Sequence, residues 1–406
     1  MSLKISKGVL PKLQTLRVRD RIKHLRPFPP QLQTAIINHY KEIPWAKRGE
    51  LKQLFSKKKS PTIYTKPVTP NIRQAQRFIN DREKLQEVVA ARYNEQMDAK
   101  KSVRQVDFVM YRSLPNLYYI GNRMFAELKA FDKDFSPYSM LDMGHNLGSM
   151  VWAGQQFYGE SIGDYVIHEH TKDEYDRTIK LLNNKYQPHI ENVTVKGRFS
   201  MPRTRGNLFD VVTAVNYFPY LQDNEVKEWL KKIWARTGKY LIIADISNRY
   251  TALRMARIRN LFINVCSEEG HILAPCPHAQ ACPMLKNNNQ NVCRFMQKNT
   301  KISAELLPED KALFNHQRVE YTYLILKRGP QEAESKFARL LAPVSFHTHS
   351  THPNLEMLTC NSDGSLWKAN VNKMKSPNLY QYVAGKQTGD LIDQNWWDHP
   401  FTPGTI

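Results

Sequence analysis

Three cysteines, Cys276, Cys282 and Cys293, fall within an 18-residue span of the stretch Ala274–Phe295. The whole chain of 406 residues has only 5, so this is a local concentration of thiol chemistry. Cys276 and Cys282 each precede a proline, which disfavours helical geometry and presents the thiol from stiff, extended backbone. Thiolates are the ligands of zinc and of iron–sulfur clusters. The gaps of 5 and 10 residues are wider than the usual spacing of paired zinc ligands. They suit a larger object such as an iron–sulfur cluster, which takes four thiolates. Zinc stays open, as does the plain alternative of idle loop thiols. Cys360, in the turn-rich run Leu358–Gly364, is the best candidate for a fourth ligand. Cys266 falls in a helical pattern over Ala252–Cys266 and reads as a packing residue. His278, His347, His349 and His352 could also ligate metal, but a four-cysteine site does not need them, and they read as solvated loop histidines. Disulfides are disfavoured, because the N-terminus does not look like a secretory signal.

A second constellation surrounds a glycine turn. The apolar run Ser139–Asp142 ends in an acid and leads into Gly144 and Gly148, with helical residues Val151, Trp152 and Phe157 beyond. Glycines let a ligand approach the backbone, and the following helix offers free N–H groups. Glu169 lies 21 residues past Gly148, at the end of the run Tyr165–Glu169, where an acid binds ribose hydroxyls in dinucleotide sites. The turn resembles the Asp-x-Gly-x-Gly-x-Gly turn of Rossmann-like S-adenosylmethionine-dependent methyltransferases, with Asn146 at the middle glycine. The Asn146 side chain is expected to crowd a cofactor. Asp142, Gly144, Gly148 and Glu169 are the expected cofactor contacts; a turn kept only for packing is the alternative. Base-amine methyltransferases carry adjacent prolines after the fourth strand, and Asn216–Tyr220 lacks them. No cysteine stands where a carbon-methylating nucleophile belongs, so no catalytic set is assigned.

The elements that position these groups alternate between strand and helix. Strand patterns cover residues 139–142, 165–169, 193–196, 209–215 and 240–245, with helical stretches between them, notably Asn224–Arg236. Such alternation predicts an α/β fold with a parallel sheet covered on both faces, which binds ligands at the carboxyl ends of its strands. Residues 270–275 read as a sixth strand, and Val319–Leu326 as a strand returning to the same sheet. The cysteine loop then becomes an insertion, residues 274–316, in a Rossmann-like domain of residues 138–330. Residues 331–406 read as a small β subdomain around Leu366–Val371 and Leu379–Val383, with an aromatic tail at Asn395–Phe401. Upstream, residues 1–68 form a basic arm containing a short helix over Gln31–Ile43, and residues 69–137 a helical domain. One helix there starts at Thr69-Pro70 and buries Ile72, Ala75, Phe78, Ile79, Leu85 and Val89. Another starts near Pro115 and carries Ile120, Met124, Leu128 and Phe131. Tyr111, Tyr118, Tyr119 and Phe125 read as helix packing, with stacking on bases as the alternative.

Charge narrows the partner. The net charge is +21, and residues 1–60 carry 15 Lys/Arg against Asp20, Glu42 and Glu50, a local net of +12. A field of this sign favours a polyanion, of which nucleic acid is the usual one. The acid-free first 18 residues read equally as a targeting segment or as an arm laid on RNA. No run of 18 apolar residues exists, so no membrane span is expected.

The chain is similar to the mitochondrial methyltransferase-like protein 17 family, the assembly factors of the mitochondrial ribosomal small subunit. The likeness runs over about residues 70 to 390. It is carried by Met140–Gly144 with Gly148–Trp152, the run Gly270–His278, Cys282-Pro283, Cys293–Phe295, and Cys360 followed by Asp363-Gly364. The resemblance implies a 4Fe–4S cluster on Cys276, Cys282, Cys293 and Cys360 and a Rossmann-like methyltransferase fold. It further implies binding to immature small-subunit rRNA beside ribosomal proteins and other assembly factors, in the mitochondrial matrix. Two functions follow: a non-catalytic rRNA-binding assembly factor, or an active S-adenosylmethionine-dependent rRNA methyltransferase. The altered turn and the missing catalytic motif favour the first.

Overall fold

A computed structural model describes residues 27–43, 106, 109–183, 190–197, 208–286, 293–298, 318–331, 337–347, 353–393 and 404–405. Most of the basic arm, the helix expected at Thr69-Pro70, His349, His352 and the aromatic tail lie outside the described residues. The short helix expected over Gln31–Ile43 forms as α1 (Pro30–Glu42), with proline in its first turn, where a missing N–H costs nothing. The longer helix α2 (Leu114–Phe131) also begins beside a proline. Tyr118, Tyr119 and Phe125 on it are fully buried, as is Tyr111 just before it. These rings pack edge-on among themselves and against Phe28, Tyr40 and Tyr158, so they are core and not a base-stacking platform.

The sheet then builds in chain order. β1 (Ser139–Met143) leads through the glycine turn into α3 (Ser149–Tyr158), followed by β2 (Asp164–Glu169) and α4 (Lys172–Leu182). Thr171 and Glu174 close a reciprocal capping box at the start of α4, satisfying two amides that no helical carbonyl reaches. β3 (Val193–Gly197), β4 (Phe209–Val215), α5 (Asp223–Trp234), β5 (Thr237–Ile246) and α6 (Arg249–Cys266) follow. β1 to β5 pair in parallel in the order 3-2-1-4-5. Hairpins cannot join parallel neighbours, so the helices cross over and bury both faces. One face packs against α2 and α3; the other packs against α5 and α6.

Beyond α6 the chain makes β6 (Gly270–Ala274), the short helical turn α7 (Pro283–Lys286), β7 (Phe295–Lys298) and the long β8 (Arg318–Arg328). β8 inserts antiparallel between β5 and β6, giving the order 3-2-1-4-5-8-6. This order, with one antiparallel strand near the edge, defines the Rossmann-like fold of S-adenosylmethionine-dependent methyltransferases. β6 pairs with the Ile325–Arg328 end of β8 and β7 with its Arg318–Tyr321 end, on the same edge. The cysteine loop therefore leaves one half of that edge and returns to the other, spanning the gap at Thr322–Leu324.

A second, antiparallel sheet follows, from β9 (Phe337–Leu340), β10 (Ser345–His347), β11 (Asn354–Cys360), β12 (Leu366–Asn372), β13 (Leu391–Asp393) and β14 (Gly404–Thr405). The strand expected at Leu379–Val383 is instead within α8 (Pro377–Ala384). Pro377 opens that helix, and Leu379, Tyr382 and Val383 share one buried stripe against Leu355, Met357, Ala369 and Val371. The opposite face of the sheet carries Cys360 and Arg339, which are direct cross-strand partners. Side chains alternate along a strand, so both point away from α8, towards the first domain.

Candidate thiol centre and glycine turn

The loop from β6 to β7 supplies Cys276, Cys282 and Cys293, and β11 supplies Cys360. These four thiols are mutual electrostatic neighbours: Cys276, Cys282 and Cys360 all act on Cys293, and Cys276 and Cys282 act on Cys360. Burial, then this crowding, pushes the thiols of Cys282, Cys293 and Cys360 up from the ordinary value. Cys282, Cys293 and Cys360 also share a small apolar cluster with Met284, Leu341 and Leu366. Cys276, Cys282 and Cys293 line a cavity with Arg259, Thr322, Tyr323 and Leu324. Among the described residues, no group of three or more His, Cys, Asp or Glu side chains is placed to hold a metal ion. Cys266 points elsewhere, into the core beneath α5 and α6.

Two further side chains enter this site. Arg259, on α6, is 2% exposed. Its Nε donates to Cys276 Sγ at 3.0 Å, and its Nη2 donates to the His278 carbonyl at 2.7 Å. His278 is buried, contrary to the solvated loop histidine expected, and its Nε2 lies 3.3 Å from Cys360 Sγ. Arg259 was legible in principle: Met255, Ile258, Phe262 and Cys266 place it on the buried stripe of α6, where a cation needs a reason. His278 gave no such signal.

The fit of this donor set can be judged from charge. Burying a cation without an anion is costly, so buried arginines ordinarily face carboxylates. Arg259 has no carboxylate at ion-pair distance among the described residues; its acceptors are a sulfur, a carbonyl and the Asn260 amide oxygen. Thiolates would supply the missing negative charge. The residues present therefore fit an anionic four-thiolate centre.

A second buried network ties the two sheets together beside it. Arg339 Nε donates to the Pro275 carbonyl at 2.8 Å, one residue before Cys276, and Nη1 donates to the Gly389 carbonyl at 2.7 Å. The same guanidinium pairs with Glu127 of α2 at 2.8 Å, and Tyr323 of β8 donates to Glu127 Oε2 at 2.8 Å.

The glycine turn sits at the carboxyl ends of β1, β2 and β4. Gly144 has φ 142°, and a Cβ there would lie 2.0 Å from the Val215 carbonyl oxygen, so only glycine fits. Gly148 has φ 70°, left-handed, and forms the N-cap of α3. Asn146 does not reach outward to crowd a cofactor, as expected; it folds back into the turn. Its Nδ2 donates to Asp142 Oδ1 at 2.9 Å, and its Oδ1 accepts from the Ser149 amide at 3.0 Å. Asp142 is 1% exposed and also accepts from Thr213 Oγ1 at 2.7 Å; burial raises its carboxyl to about 6. Glu169 is 0% exposed and accepts from Thr178 Oγ1. Burial, then the neighbouring Glu174, pushes its carboxyl well up. Burial opposes ionisation of Glu174 too, but His145, 2.6 Å away, outweighs it and holds that carboxyl down.

The carboxylates do not form an open seat. The His145 ring lies 4.6 Å from His170 and 4.1 Å from Tyr220, and His170 lies 5.2 Å from Tyr217. These rings cluster beside the carboxyl ends of β1, β2 and β4. Asp142 Oδ2 and Glu169 Oε2 are buried without a hydrogen-bond partner, yet neither is accessible to a ribose. In this arrangement Asp142 and Glu169 are both buried and bonded to neighbouring side chains. A cavity of about 560 Å³ lies at the other end of the sheet, by Tyr138, Gly163 and Asn192, away from the turn.

Residues 103–393 match the protein family described as mitochondrial small ribosomal subunit Rsm22. The chain is 24% identical over 282 residues to the human mitochondrial ribosome assembly protein METTL17, covering 67% of this chain and 59% of that protein. It is 22% identical over 281 residues to the mitochondrial Rsm22-cox11 tandem protein 2 of Schizosaccharomyces pombe, covering 63% and 37%. The match thus spans less than two thirds of either relative. Among solved structures, the chain is similar to the plantazolicin methyltransferase BpumL in complex with SAH, at 12% identity and a TM-score of 0.35, over 64% of this chain and 98% of that one. It is also similar to the magnesium protoporphyrin IX methyltransferase ChlM of Synechocystis PCC 6803 with bound SAM, at 11% identity and a TM-score of 0.31, over 55% and 85%.

Proposed function

The chain belongs to the mitochondrial small ribosomal subunit Rsm22 family, and from that premise we propose that it is a non-catalytic assembly factor of the mitochondrial small ribosomal subunit. It binds immature rRNA in the matrix, next to ribosomal proteins and other assembly factors, and a 4Fe–4S cluster on Cys276, Cys282, Cys293 and Cys360 holds its two domains together. The observation that carries the reading is the meeting of three thiols of the β6–β7 loop with Cys360 of the second sheet, beside a buried arginine that has no carboxylate at ion-pair distance among the described residues. Cys276, Cys282 and Cys293 of the loop and Cys360 of β11 would hold such a cluster, which would tie the loop to β11 through its thiolate bonds. The chain's own residues orient it: Pro277 and Pro283 stiffen the loop, and Arg339 fixes the carbonyl before Cys276. No helix among the described residues is long and apolar enough to cross a membrane.

The net charge of +21 supports an RNA partner, since phosphate neutralisation supplies most of the sequence-independent affinity for nucleic acid. The reading is tested by cross-linking the protein to small-subunit rRNA in mitochondria carrying wild type or Cys282→Ser. Recovery of precursor rRNA with wild type and its loss with Cys282→Ser is expected; absence of rRNA from the wild-type cross-links would refute RNA binding.

Asp142, Gly144, Gly148 and Glu169 are assigned here to the architecture of the turn. Equilibrium dialysis of the purified protein against radiolabelled S-adenosylmethionine tests this, with no saturable binding as the expected result. Saturable binding that Glu169→Ala removes would instead favour the active rRNA methyltransferase, for which the two orphaned carboxylate oxygens are the supporting observation.

A further inference from the structure

Arg259 presents an electrostatic problem that its protein partners do not solve. Its guanidinium is buried on the inward stripe of α6, and its acceptors among the described residues are Cys276 Sγ, the His278 carbonyl and the Asn260 side chain. All three are formally neutral when Cys276 carries its proton. Nη2 also lies 3.3 Å from His278 Nδ1, and the far side of that ring lies 3.3 Å from Cys360 Sγ. One guanidinium thus touches a loop thiol directly and reaches the β11 thiol through a single imidazole. Arginine suits this work, since its planar fork donates in several fixed directions and keeps its charge when buried. Hydrogen bonds to ligand sulfurs, local charge and solvent exclusion are the means by which a protein sets the stability and potential of an iron–sulfur centre.

We propose that Arg259 is the counter-cation of the thiol centre: a positioning residue that stabilises the protein only while an anionic thiolate group is bound, and destabilises it once that group is gone. This rests on the cluster reading above and extends it. Loss of the centre leaves the guanidinium buried with no anion at ion-pair distance among the described residues, and an uncompensated buried charge is a strongly destabilising element. The cation thereby couples occupancy of the site to docking of β11 on the first domain.

An opposite-sign effect tests this, because an arginine that merely packs would stabilise both forms alike. Full-length wild type, Arg259→Met and Arg259→Lys are purified anaerobically, and iron and sulfide are counted before and after chelation. Wild type without iron or sulfide would refute the cluster reading itself, independently of Arg259. With wild type loaded, Arg259→Met is expected to melt below wild type in the loaded form and above it in the stripped form. Arg259→Lys, which keeps the charge without the fork, should fall between them in both. If a stripped form shows no melting transition, the rate of iron loss to chelator replaces it, with Arg259→Met faster than wild type and Arg259→Lys intermediate. The reduction potential of the loaded centre should also be lower in Arg259→Met, since a nearby cation favours the added electron. A variant that is less stable in both forms, or that matches wild type in iron-loss rate and potential, would overturn the proposal.

Discussion

Asp142 shows what burial does to a single acid at the centre of the turn. With its carboxyl raised to about 6 by desolvation, the folded protein holds that proton more tightly than the unfolded chain does. The stability Asp142 contributes is therefore fully present below the unfolded value and is lost as pH rises through about 6. Asp142→Asn imitates the protonated acid, keeping an oxygen for Asn146 and Thr213. It should flatten the pH–stability curve between about pH 4 and 6 and stabilise the protein at pH 7 by about 2–3 kcal/mol. Chemical denaturation across that range is the measurement; an unchanged slope would remove Asp142 from the account. Asp142, Gly144, Gly148 and Glu169 could all be placed on the turn from sequence, because strand ends and glycines are local signals. The folding-back of Asn146 and the ring stack over the crevice could not. The first is a choice of side-chain direction settled by the bonds of Asn146 to Asp142 and Ser149, and the second depends on His170 and Tyr220, which come from different strand ends and meet His145 only in three dimensions.

Elements carry the next scale, and here the edge of β8 matters most. The loop that leaves β6 and returns as β7 is held at both ends by this strand, while Cys360 and Arg339 approach from the second sheet. Because site formation and local folding are coupled in cysteine-ligated centres, Cys360→Ser should speed hydrogen exchange across β11 and β12, whereas Cys266→Ser should leave it unchanged. Equal protection in Cys360→Ser and wild type would sever the thiol from the docking. Glu127→Leu leaves Arg339 buried without its carboxylate and should cost about 3–5 kcal/mol in urea unfolding. An effect below about 1 kcal/mol would mean that the ion pair is not an important tie between α2 and β9. The parallel strands were legible as apolar runs, three of them (β1, β2 and β5) with an acid at the carboxyl end, and β8 as a return to the sheet. The segment Leu379–Val383 was misread because a five-residue stretch, apolar but for Gln381, fits either period; proline near its start and the partner face of β11 and β12 decided for helix. β7 was not foreseen, since Phe295–Lys298 is short and pairs only because β8 already offers an edge.

At the scale of the whole molecule the dominant quantity is charge. Residues 1–60 hold a net of +12 out of +21, the remainder being spread over a chain nearly six times as long. If that segment contacts RNA phosphates, its deletion should weaken rRNA binding and flatten the salt dependence by about 0.7–0.9 units of slope per lost contact. Filter binding over a salt series measures this, and an unchanged slope would assign the segment to another role. Charge and length could be read without a structure; the convergence of thiols could be suspected but not shown, because Cys293 and Cys360 are separated by 66 residues. Everything at this scale depends on what the four thiols hold. The most direct measurement is metal and sulfide analysis of the anaerobically purified full chain, beside its Cys360→Ser variant. About four iron and four sulfide per chain, lost in Cys360→Ser, is the predicted result; zinc without sulfide, or full iron retention in Cys360→Ser, would contradict it.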